Sequence, residues 1–106
     1  MNEVKLTELE NKNKKYKAIF YNNGMKKETV YFGDGPAKDY TIHYQENGFK
    51  FANERKKLYL ARHKKRENWN DFSSAGALSR WILWNKKSRQ ASINDYLKRF
   101  KLKIIK

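Results

Sequence analysis

Two basic clusters, Arg55-Lys56-Lys57 and Arg62-His63-Lys64-Lys65-Arg66, put seven Lys/Arg side chains into residues 51–66 against a single acid, Glu54. On a helix, positions 55, 62 and 66 share a face, and Lys56, Lys57 and Lys64 spread charge around it. Flexible cations carried on a rigid rod suit a phosphate backbone, because each contact releases condensed counterions. A short basic run is more often a solvated helix face, but the excess of bases over acids here favours polyanion binding. Arg80, Lys86, Lys87 and Arg89 form a second basic group around the joint between two later helices. The third group, Lys98, Arg99, Lys101, Lys103 and Lys106, reads at least as well as a solubilising end.

His43 and His63 are the two histidines, and Asp39 and Asp71 are the acids that would serve them as base or ligand partners. No His-x-x-x-His pair and no clustered carboxylates accompany them, so neither a metal site nor a general acid–base pair is spelled out. Gly33-Asp34-Gly35 lacks the Lys-Ser/Thr signature and the following helix of a phosphate-binding loop. The expectation is a binding protein, not an enzyme, with no metal and no cofactor. Tyr16, Tyr21, Tyr31 and Phe32 suit base stacking, although a small sheet on helices also needs aromatics on its inner face. Trp81 and Trp84 are expected in the core. Trp69, in a polar loop, is the better candidate for an exposed contact.

These side chains need a frame. Residues 1–14 are polar and read as a flexible leader, with order starting near Lys15. Tyr16, Ala18 and Phe20 alternate with Lys17, Ile19 and Tyr21; Asn22-Asn23-Gly24 follows, and residues 27–32 are rich in β-formers. Asn-Gly between two such runs predicts a β-hairpin. Gly33-Asp34-Gly35-Pro36 ends the second strand, and residues 40–44 are a candidate third strand. Residues 51–66 contain no Gly or Pro and predict a helix. A second helix over residues 75–84, capped by Ser73 or Ser74, is apolar nearly all round and is expected at the centre of the core. A third helix begins near Ser88, or at Ser92 with Asp95 completing a capping box. Its residues Ile93, Tyr96, Leu97 and Phe100 share one face. The predicted class is α+β: an N-terminal antiparallel hairpin or three-stranded sheet packed on two or three helices, one domain over residues 15–102, with residues 103–106 a basic tail.

Composition agrees. The 106 residues suffice for one domain. Three Trp, seven Tyr and six Phe are too many for a disordered basic tail. The formal net charge of +14 is lopsided: nine Lys/Arg oppose seven Asp/Glu in residues 1–50, and sixteen oppose four in residues 51–106. Such asymmetry suggests a polyanion-binding half and a scaffold half. The chain has no cysteine, which excludes disulfides and thiolate metal sites. No apolar run is long enough to span a bilayer, and the N-terminus lacks the apolar region of a signal peptide. A membrane partner is not expected.

Several strings carry a resemblance: Tyr40-Thr41-Ile42-His43, Arg62-His63-Lys64-Lys65 with Glu67-Asn68-Trp69-Asn70-Asp71, the block running from Ser74 through Ala75-Gly76-Ala77-Leu78-Ser79-Arg80-Trp81-Ile82-Leu83-Trp84-Asn85-Lys86, and Ser92-Ile93-x-Asp95-Tyr96-x-Lys98-Arg99-Phe100. Across residues 15–102 the chain resembles a family of small basic proteins encoded by nucleocytoplasmic large (giant) DNA viruses. The resemblance implies a viral origin, a place in the host cytoplasm, nucleus or virion, and a role with the packaged genome. It brings no active site with it. Two partners follow as expectations: nucleic acid, DNA ahead of RNA and with little sequence preference, or an acidic capsid surface met by a minor capsid or cement protein. The expected nucleic-acid contacts are Arg55, Lys56, Lys57, Arg62, Lys64, Lys65, Arg66, Arg80, Lys86, Lys87 and Arg89.

Overall fold

Asn23 and Gly24 both take positive φ, 52° and 82°, the backbone that a tight hairpin turn requires and that Asn-Gly adopts readily. They join β2 (Lys14–Asn22) to β3 (Met25–Asp34) in an antiparallel pair. Ala18, Phe20 and Phe32 are buried on the inner face of that hairpin, as the period of two demands. The structure, a computed structural model, describes residues 2–10 and 13–106.

The N-terminal segment departs from the expected leader. Asn2–Glu8 forms β1, antiparallel to β2 from Asn2 opposite Asn22 to Glu8 opposite Tyr16. Val4 is fully buried while Lys5 is exposed. The short run Val4-Lys5-Leu6 is too slight a pattern to announce a strand by itself. Its neighbours on both sides supply the hydrogen bonds. Residues 1, 11 and 12 of the expected leader lie outside the described residues. The expected tail is also structured: Lys103–Ile104 is β4, parallel to β1, and the sheet order is β3-β2-β1-β4. The sheet is therefore four-stranded and mixed.

Residues 40–44 are not a third strand. Tyr40–Asn47 is helix α1, because Asp39 caps it: the Asp39 carboxylate accepts from the Ile42 amide at 3.1 Å. Gly48 (φ 86°) separates α1 from α2, Phe49–His63. The helix expected at residues 75–84 is short and then widens, with α3 (Ala75–Leu78) running into a π turn over Ser79–Leu83. Ser74 caps it by accepting from the Ala77 amide at 3.1 Å. Helix α4 is Arg89–Phe100, and Ser88 is its cap. Ser92 lies fully buried inside α4, where its hydroxyl accepts from the Lys86 amide at 2.9 Å, so it anchors the preceding loop and does not start the helix.

The core unites Val4, Ala18, Phe20 and Phe32 of the sheet with Leu78, Ile82 and Leu83 of the α3–π segment, Tyr96 of α4, and Leu102. Trp81 and Trp84 are half-buried against it. The result is an α+β fold with three strands of the sheet first, the helices after them, and the two-residue β4 closing the chain's path back to the sheet.

Candidate polyanion-binding surface and adjoining cleft

Helix α2 owes its position to one narrow face. Ala52, Lys56, Tyr59 and His63 recur at i, i+4, i+7 and i+11, and Ala52 is the one fully buried residue of the helix. Tyr59 stacks between His63 (ring centroids 4.2 Å) and Trp84 (4.4 Å). Trp84 in turn lies 6.0 Å from His43, which meets Phe51 edge-on at 5.4 Å. Tyr59 and Trp84 thus stand between the two histidines, which are not partners.

Apart from the half-buried Asn53 and Leu60, the rest of α2 faces water. Arg55, Lys57 and Arg62 are exposed there, Lys64, Lys65 and Arg66 are exposed in the turn that follows, and none of the six makes an ion pair among the described residues. The helix ends at His63, so Arg66 does not continue the stripe of Arg55 and Arg62. Its amide closes a turn onto the His63 carbonyl at 3.1 Å. Lys50, which sequence reasoning passed over because the helix was expected to start later, is exposed on the first turn.

Three of the expected phosphate contacts are engaged internally. Lys56 donates to the Asn85 carbonyl at 3.0 Å and lies 4.9 Å from the Tyr40 ring centroid. Burial, aided by the charges of Arg80 and Lys86, lowers its pKa. Arg80 lies against Trp81 and Trp69, 4.1 and 5.5 Å from their ring centroids, and donates to the Trp84 carbonyl at 2.8 Å. Arg89 donates to the Ile82 carbonyl at 3.0 Å and to the buried Asp39 carboxylate at 2.8 Å. Neither charge nor spacing marks such cations as internal; only their neighbours do. Lys86 and Lys87 are exposed, on a loop held beside α1 and α2 by the Lys56–Asn85 bond and by Thr41 donating to the Lys86 carbonyl at 3.1 Å.

Trp69 is not a free contact either. Its indole N–H donates to Glu67 at 2.9 Å, and its carbonyl accepts from the Trp81 indole at 2.9 Å. Glu67 also holds His63, Oε2 to Nδ1 at 2.9 Å. The His63 and Glu67 spacing of four was visible in the sequence, but the turn between them hid its meaning. Both residues line a cleft of about 470 Å³ between the end of β3, the loop before α1, the last turn of α2 and the start of α3. Among the described residues no group of His and acids could hold a metal ion, and no helix is long and apolar enough to cross a membrane.

A family model covers residues 4–63, which is β1 through the last residue of α2 and more than half of the chain. The chain belongs to DUF5754, a family of unknown function. The DUF5754 match thus takes in the three long strands, α1 and the whole of the exposed helix α2. No curated protein and no solved structure matches the chain.

Proposed function

We propose that this protein binds nucleic acid, DNA ahead of RNA, through the outer face of α2 and the turn after it, with little sequence preference. The observation that carries the reading is the set of six exposed cations that make no ion pair among the described residues: Arg55, Lys57, Arg62, Lys64, Lys65 and Arg66. Surface cations kept for solubility are commonly interspersed with acids, and here the outer face of α2 offers Glu54 alone. Lys86 and Lys87 extend the same charge from the neighbouring loop. In the viral setting that the resemblance implies, the ligand is the packaged genome.

If about six phosphates are neutralised, affinity falls by roughly three decades between 50 and 200 mM salt. Replacing Arg55, Lys57, Lys64 and Lys65 together by Ala removes about four units of the log–log salt slope. Fluorescence anisotropy with labelled duplex and single-stranded DNA measures both. An unchanged slope in the fourfold variant rejects α2 as the binding surface.

A second reading rests on a different observation. Phe49, Phe51 and Leu58 of α2 are 61, 44 and 47% exposed, and exposed apolar side chains favour a protein partner such as an acidic capsid face. Binding of that kind resists salt, so the same titration separates the two.

A further inference from the structure

The cleft beside α2 contains a histidine oriented by two contacts, the Glu67 carboxylate at Nδ1 and the Tyr59 ring stacked on its face. Glu67 accepts from the Trp69 indole through Oε1 and bonds His63 Nδ1 through Oε2, each at 2.9 Å. Gly76 makes room for that carboxylate: a Cβ there would stand 2.9 Å from the Glu67 carboxyl carbon. With Nδ1 committed to Glu67, Nε2 is the nitrogen left for a ligand. His63 keeps about a third of its side-chain surface accessible.

Around it the cleft offers what a nucleotide needs. Tyr31, half exposed near the end of β3, gives an aromatic face, and base stacking on such a ring tolerates any base. Trp84, already stacked on Tyr59, adds half-buried lining. Lys15 and Lys38 of the lining are paired with Asp39 and Glu46, and Arg62, exposed and in no ion pair among the described residues, is the cation placed to meet an anion. Of the acids there, Asp39 is met by Lys15 and Arg89, and Glu67 by His63 and Trp69. Asp34 remains at the rim, exposed. A volume of about 470 Å³ lies in the range of small-ligand sites.

We propose that this cleft binds one nucleoside phosphate, with Arg62 on the phosphate and His63 Nε2 hydrogen-bonded to the ligand. The proposal deepens the nucleic-acid reading and rests on it where the nucleotide is one unit of a strand running past α2. The chemistry is the same for a free nucleotide.

The test is an NMR titration of the full chain with 5′-AMP, a single-stranded oligonucleotide, adenosine and inorganic phosphate, following the Trp84 indole and the His63 imidazole. Four proteins are compared: the wild type, Arg62→Ala, His63→Ala, and the fourfold variant Arg55→Ala/Lys57→Ala/Lys64→Ala/Lys65→Ala. Saturable shifts with 5′-AMP, weakened at least tenfold by Arg62→Ala and by His63→Ala but not in the fourfold variant, are the expected result. Saturation by the oligonucleotide alone assigns the site to a strand. Saturation by 5′-AMP assigns it to free nucleotides as well. Arg62 is exposed, so its replacement tests the site even if His63→Ala fails to fold. The proposal is overturned if neither ligand saturates, if Arg62→Ala binds as tightly as wild type, or if inorganic phosphate or adenosine shifts the same signals equally well. A fourfold variant that keeps its DNA affinity and its 5′-AMP site refutes the α2 surface and leaves the cleft standing.

Discussion

At the scale of single residues, the same side-chain type serves two purposes, and neighbours decide which. Arg80 is half-buried against Trp69 and Trp81 and bonded to the Trp84 carbonyl, whereas Arg62 is exposed and makes no ion pair among the described residues. Arg80→Ala therefore costs about 2 kcal/mol of stability and leaves the salt slope of DNA binding unchanged. Thermal melts and salt titrations of that variant give the two readings. His43 provides a second prediction. Burial, helped by the charges of Arg55 and Lys38, lowers its pKa in the folded state, while Asp39 and Glu46 oppose the shift. Above the ordinary value of about 6.5 the ring is neutral in both folded and unfolded chains and adds no pH dependence. As pH falls below that value the unfolded chain takes up the proton first, so stability declines down to the depressed folded value. The slope is at most about 1.4 kcal/mol per pH unit, one proton's worth. Melting temperatures from about pH 8 to pH 5 show this decline in the wild type, and His43→Phe flattens it.

At the scale of elements, one buried carboxylate joins several. Asp39 caps α1 through the Ile42 amide, pairs with Lys15 of β2 at 3.4 Å and with Arg89 of α4 at 2.8 Å, and Arg89 reaches on to the Ile82 carbonyl of the π turn. Removing one partner leaves a buried charge short of compensation. Arg89→Ala is therefore expected to cost about 3 kcal/mol, read from denaturant unfolding. The hairpin, α2 and α4 were legible in the sequence because Asn-Gly, a breaker-free run and the Ile93/Tyr96/Leu97/Phe100 face are local signals. Helix α1 was not, because Tyr40-Thr41-Ile42 favours strands by type. The Asp39 cap and the departure of the chain from the sheet after Asp34 override that preference.

At the scale of the whole molecule, a net charge of +14 on 106 residues sets two opposite responses to salt. Added salt screens the self-repulsion of the free protein and raises its melting temperature. The same salt weakens nucleic-acid binding through counterion release. Melts and binding curves taken over about 20–200 mM sodium chloride should move in these opposite directions. A melting temperature that falls with salt would mean that the attractive pairs, Asp39 with Lys15 and Arg89 foremost, outweigh the net repulsion.

The amino-acid sequence alone determined the α+β class, the order of sheet before helices, and the basic character of residues 51–66. Those features depend on residues near one another in the chain: alternation, turn residues, caps and helical spacing. The tertiary structure decided the rest. It recruited Asn2–Glu8 and Lys103–Ile104 into the sheet, since a strand of weak pattern gains its hydrogen bonds from neighbours remote in sequence. It withdrew Lys56, Arg80 and Arg89 from the charged surface and left Arg55, Lys57, Arg62 and the turn after α2 in water. It also brought Glu67 and Gly76 beside His63 in one wall of a cleft, with Trp69 holding the Glu67 carboxylate. Charge is written in each residue, but whether that charge faces solvent, a ring or a buried carboxylate depends on contacts between distant segments, which only the folded chain supplies.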